Sequence, residues 1–139
     1  MRTLTIEHDG EEHELAATFG ASVELADRVG DPMFIAREAA LEATMMQARI
    51  PYQPKFVFTV QNVPEILAIG LKAAGSKLKK REIEEMVFDA GFLHARKWAA
   101  DYLALIVEPK PTVPLDEPED EYDEDEAGNG ESSKDGAAA

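Results

Sequence analysis

The chain has 139 residues, a net charge of −14 and no cysteine. Such a length points to one domain, and the missing thiols exclude disulfides, thiolate catalysis and zinc-finger sites. The acidic balance argues against DNA and anionic membranes as partners, because phosphates recruit Lys and Arg.

Residues 2–8 and 11–18 read as a β-hairpin around Asp9-Gly10, a two-residue turn signal. That turn sets Leu4 opposite Leu15 and Ile6 opposite His13, with Thr5/Glu14 and Glu7/Glu12 towards water. Phe19 to Arg28 reads as a short helix, apolar at Val23, Leu25, Ala26 and Val29 and ended by Gly30. Asp31-Pro32 supplies a cap and a first helical residue for a second helix running to about Arg49. Phe34, Leu41 and Met45 share one face of it, and Ile35, Ala39, Met46 and Ile50 broaden that face. Lys55–Val60 is β-prone, either a short strand or an extended lead into the next helix.

Asn62 to Gly75 carries its own start and stop signals. Asn62 is the expected cap, Glu65 its capping-box partner, Pro64 a first-turn residue, and Gly75 the left-handed terminator. Nearly everything between is apolar, which describes a helix enclosed by protein. A basic connector, Lys77-Leu78-Lys79-Lys80-Arg81, leads to a helix with Ile83, Met86, Val87 and Ala90 on one face. The last helix, about Phe92 to Val107, turns Phe92, Ala95, Trp98, Ala99, Tyr102, Leu103 and Ile106 inward. Lys97 and Asp101 form an exposed pair one turn apart.

After Glu108 prolines recur and the period is lost. Residues 1–108 hold 17 acidic and 12 basic residues, net −5, whereas 109–139 hold 11 and 2, net −9. The expected organisation is α+β: a hairpin packed on about five helices over 1–108, then a disordered acidic tail over 109–139. Met1–Ile6 runs straight into charged residues, so no secretory leader is expected. No apolar run approaches about 18 residues. A cytoplasmic protein without a membrane span is expected.

Chemistry-bearing patterns are sparse. Gly70 to Lys77 reads G-x-x-x-x-G-S-K, with Ser and Lys exchanged relative to a phosphate loop and a helix end as context, so it reads as a helix cap. His8, Asp9, Glu11 and His13 gather at the hairpin tip, His13 on the core side and His8 at a fraying end, as polar tip residues and not as metal ligands. His94 has no Ser or Cys partner at a recognisable spacing and belongs on the surface of the last helix. No catalytic residue, cofactor or metal is expected. The run Lys77, Lys79, Lys80 and Arg81 is either a solvated turn or a docking point for an acidic partner, this chain's own tail included. Met45-Met46 either fills the core or forms an adaptable groove for another chain.

Three segments, in order, resemble the tail assembly chaperones of tailed phages and gene transfer agents. The hairpin leading into Thr18–Gly30 looks like the family's strand, Leu/Glu helix and Gly opening. Phe58–Val63 followed by Ala68–Gly75 is similar to its central helix, an A-G-L-x-x-A-G string with Ile69 where a second small residue is usual. Ala99–Ala104 resembles its closing helix. The Pro51–Lys55 insert and the acidic tail lie outside the pattern of the shortest members. The resemblance implies a non-enzymatic protein of the host cytoplasm that coats the tape measure protein, helps recruit tail tube protein and then leaves the particle. Self-association is one further expectation. The contact surfaces are then Phe34, Leu41, Met45 and Met46 on the second helix, with Lys77, Lys79, Lys80 and Arg81. The alternatives are a tail tube or tail completion subunit kept in the particle, and an acidic inhibitor or DNA mimic.

Overall fold

Asp9 and Gly10 both take positive φ, 53° and 77°, as a two-residue hairpin turn of matching twist requires. The computed structural model describes residues 2–108, so the disorder read for 109–139 falls outside the described residues. The turn joins β1 (Arg2–His8) to β2 (Glu11–Ala17), antiparallel, with Leu4 opposite Leu15 and Ile6 opposite His13 as read from the sequence. Glu7 does face Glu12; both are exposed, so water weakens their repulsion and the turn fixes the register.

Five helices follow: α1 (Phe19–Arg28), α2 (Pro32–Gln47), α3 (Asn62–Ala73), α4 (Lys80–Ala90) and α5 (Phe92–Val107). The fold is α+β, with a two-stranded sheet and five helices among the described residues. Thr18 caps α1 by accepting from the Ala21 amide at 3.0 Å, and Asp31 caps α2 by accepting from Met33 at 2.9 Å. In α1 the inward residues are Ala21 and Leu25, one turn apart, while Val23 and Ala26 face out.

The central helix is α3, with seven of its twelve residues buried. It packs against β2, α5, α4 and α1, so most elements of the domain meet it. Gly70 permits the closest of these approaches: a Cβ there would lie 2.8 Å from Tyr102 and 2.9 Å from Leu15. Tyr102 is itself fully buried, and its hydroxyl donates to the Ala16 carbonyl at 2.7 Å. That bond ties α5 to β2 beside α3 and satisfies the only polar atom of the side chain. Burial pushes the Tyr102 phenol well above its ordinary pKa, so it remains a donor.

The end of α3, and Pro64 in its first turn, follow the sequence expectation, whereas the capping of its start does not. Gly75 has φ +89°, its amide bonds to Lys72 and that of Ser76 to Leu71, the paired bonds of a Schellman cap. Asn62, by contrast, lies inside the helix as its first residue, and no side chain caps the helix start. The Asn62 side chain turns back, accepting from the Thr59 amide at 2.7 Å and donating to the Val57 carbonyl at 3.0 Å. Glu65 completes no capping box; it pairs with Arg28 at 2.7 Å. These competing partners instead fasten the preceding segment and α1.

At the other end of the chain, Arg2 donates from Nε and Nη2 to the carbonyls of Leu105 and Ile106, each at 3.0 Å. These are free carbonyls of the last turn of α5, where a cation also suits the helix dipole. Buried residues of α5 are Ala95, Trp98, Ala99, Tyr102, Leu103 and Leu105, with Phe92 and Ile106 packed at the rim of the core.

Candidate partner-binding surface

Residues 34, 38, 41 and 45 recur at intervals of four, three and four, so they form one row along α2. Phe34 is 38% exposed, Leu41 and Met45 are half-buried, and Glu38 is buried among them. The neighbouring row is Ile35, Ala39, Glu42 and Met46. Ile35 is buried and Met46 is 70% exposed. The face read from the sequence therefore divides into two rows, one buried at its start and opening towards its C-terminal end. Of the sixteen residues of α2, only Pro32, Ile35 and Glu38 are buried.

The second row faces the segment that follows. Ile35, Ala39 and Glu42 line a small cavity of about 180 Å³ together with Pro54, Phe56, Val57, Phe58 and Arg96. The β-prone residues 55–60 form no strand; they run as an extended lead into α3. Phe56 and Phe58 turn inward and meet edge to face, with ring centroids 5.4 Å apart, while Val57 and Val60 are over half exposed. Among the described residues no neighbouring strand is in place to pair with this segment, so its alternation serves packing on one side only.

Glu38 fastens the arrangement. Its Oε1 accepts from the Tyr52 hydroxyl at 2.8 Å and from the Lys55 amide at 2.8 Å. The Lys55 amide bond and then the Tyr52 bond hold the carboxyl below its ordinary pKa, and the same contact pushes the Tyr52 phenol up. Glu38 was absent from the sequence reading. Its signal was available: one carboxylate midway along an otherwise apolar row at helical spacing. Its partners lie 14 and 17 residues away, which no local pattern specifies.

Lys77, Lys79, Lys80 and Arg81 are all exposed. Arg81 lies 3.9 Å from Glu85, and the three lysines make no ion pair among the described residues. The Lys79 amide donates to Glu82 at 2.7 Å, which places a carboxylate in the first turn of α4. That explains how a helix start tolerates adjacent cations: Glu82 bonds the free amide and offsets the charge. Lys80 lines a groove of about 570 Å³ with residues of α1 and α3, with Leu78 and Ile83, and with Phe92 of α5. No α2 residue lines that groove. The two parts of the surface read from the sequence are thus separate: α2 packs on α5 and α1, and α4 on α3 and α5.

The remaining candidates resolve locally. Gly70 to Lys77 forms the packed glycine contact and the Schellman cap described above. His8 is not at a fraying end. It is half-buried, 2.9 Å from Asp89 of α4, and edge-on to Trp98 at 6.3 Å. Asp9 is 3.5 Å away, so the close group is His8, Asp9 and Asp89, whereas His13 lies nearest Glu11 at 3.8 Å. His94 is exposed and stacks edge-on to Trp98 at 4.9 Å. Among the described residues, no helix is long and apolar enough to cross a membrane. A second apolar surface went unread from the sequence: Phe88 and Leu93 are 74% and 75% exposed at the α4–α5 corner.

No family model, curated protein or solved structure matches the chain.

Proposed function

We propose that this protein is a non-enzymatic tail assembly chaperone that binds a tape measure protein and holds it soluble while tail tube protein assembles. The observation that supports this reading most is the open, apolar C-terminal half of α2. Leu41 and Met45 are half-exposed and Met46 over half exposed, with Ile50 just beyond the helix and Val57 on the following segment also over half exposed. A shallow apolar surface along a helix about 24 Å long suits an extended helical client better than a small molecule. Methionine side chains adapt to a client whose sequence varies along its length. Many weak copies on one long chain then gain strength from their number.

Co-expression with a tape measure protein tests the proposal. The expected result is soluble tape measure protein that co-purifies with this chain, and loss of both on substituting Leu41, Met45 and Met46 together by serine. Mass spectrometry of finished particles should find the client and not this chain. Retention of this chain in stoichiometric amount would replace the chaperone reading with a structural one.

A further inference from the structure

Four of the twelve basic residues in 1–108 fall within the five positions 77–81, and all four side chains are exposed. Of the other eight basic residues in 1–108, four find partners among the described residues: Arg2 at the end of α5, Arg28 at Glu24 and Glu65, Lys72 at Glu24, and Lys97 at Asp101. Among the described residues, the connector's cations have only the 3.9 Å approach of Arg81 to Glu85. Its lysines stand beside a groove of about 570 Å³ that Lys80 helps to line. The same chain carries the complementary charge, since Asp116–Glu126 places nine carboxylates in eleven residues.

We propose that the acidic run Asp116–Glu126 docks on Lys77, Lys79, Lys80 and Arg81 of its own chain and covers them. The covalent geometry permits it. Phe92, the first residue of α5, lines the groove beside Lys80, and α5 ends at Val107, about 23 Å away along its axis. The eight residue-to-residue steps from Glu108 to Asp116 reach up to about 28 Å when extended. Prolines at 109, 111 and 114 favour that extended form. Each exposed ion pair is weak, but tethering makes the encounter intramolecular and lets several act together. Glu82, Glu84 and Glu85 lie directly after the cations, so the contact is expected to be loose, multivalent and strongly salt-dependent. Docking would occupy the connector until a stronger anionic partner displaces the run. The proposal is independent of the chaperone reading.

Paramagnetic relaxation in the full chain is the test. The absence of cysteine means that Ala127→Cys gives one unique site for a nitroxide label. At about 0.02 M salt, amide peaks of residues 77–81 should lose about half or more of their intensity, and they should recover near 0.5 M as the screening length shortens. Replacing the four cations by glutamine should abolish the loss while leaving the remaining spectrum in place. Mixing isotope-labelled, spin-free chain with unlabelled, spin-labelled chain should show no such loss. Undiminished peaks at low salt, broadening spread evenly over the surface, or broadening that appears equally in the mixed sample would overturn the proposal, the last by making the occupant a second copy.

Discussion

The helices α3 and α2 are built from similar apolar fractions of side chain, yet they do different things. Seven of the twelve residues of α3 are buried, against three of the sixteen of α2. The difference lies in what surrounds each helix. Around α3 stand the hairpin, α1, α4 and α5, so most of its apolar residues are covered. For α2 the cover is α5, α1 and one extended segment fastened by Glu38, and its C-terminal half outruns them. Apolar composition therefore marks a core in one case and an open surface in the other. Which of the two it marks depends on the number of neighbouring elements, not on the helix.

Substitutions can break this contrast. The largest effect is expected at Leu67, fully buried in α3: Leu67→Ala should cost about 2–5 kcal/mol in urea unfolding, whereas Met46→Ala on α2 should stay within about 0.5 kcal/mol. Equal losses at the two positions would erase the distinction. Next comes Gly70→Ala. Helix propensity alone would stabilise by up to about 1 kcal/mol, but the new methyl meets Tyr102 and Leu15 at under 3 Å, and overpacking costs about 1–3 kcal/mol. A net loss is expected, and a raised melting temperature would show that α3 is less tightly held than described.

The Glu38 clamp sharpens the comparison from the α2 side. Its folded pKa is lowered, so its stabilising contribution is complete above the ordinary carboxylate range and is lost as pH falls through the lowered value. The stability difference between the native chain and Glu38→Gln should accordingly be greatest near neutral pH and narrow on acidification. A difference that stays constant with pH would remove the carboxylate's charge from the explanation. The smallest effect belongs to Lys97 and Asp101, paired at 3.0 Å but exposed, where Asp101→Asn should cost below about 0.5 kcal/mol and less in high salt.

Local rules carried much of the fold. The hairpin register followed from Asp9-Gly10 and alternation, and the Gly75 cap from a glycine after an apolar run, because both depend on residues a few positions apart. Capping of α3 failed as an expectation for the same reason in reverse. Asn62 and Glu65 have the right chemistry, but Val57, Thr59 and Arg28 compete for them in three dimensions. Contacts such as Arg2 with Leu105, or Tyr102 with Ala16, join residues 103 and 86 positions apart and leave no periodic trace. On the candidate surface, spacing placed Phe34, Leu41 and Met45 in one row correctly. It could not show that Glu38 holds a loop against that row, or that the basic connector lies beside a different groove.

Hydrogen exchange of the chain alone and in a co-purified complex with tape measure protein tests the central claim most directly. Added protection should concentrate in residues 40–60, covering the end of α2 and the segment leading to α3, with α3 and β2 already slow and unchanged. Protection confined to the Phe88–Leu93 corner, or none on α2, would contradict the account.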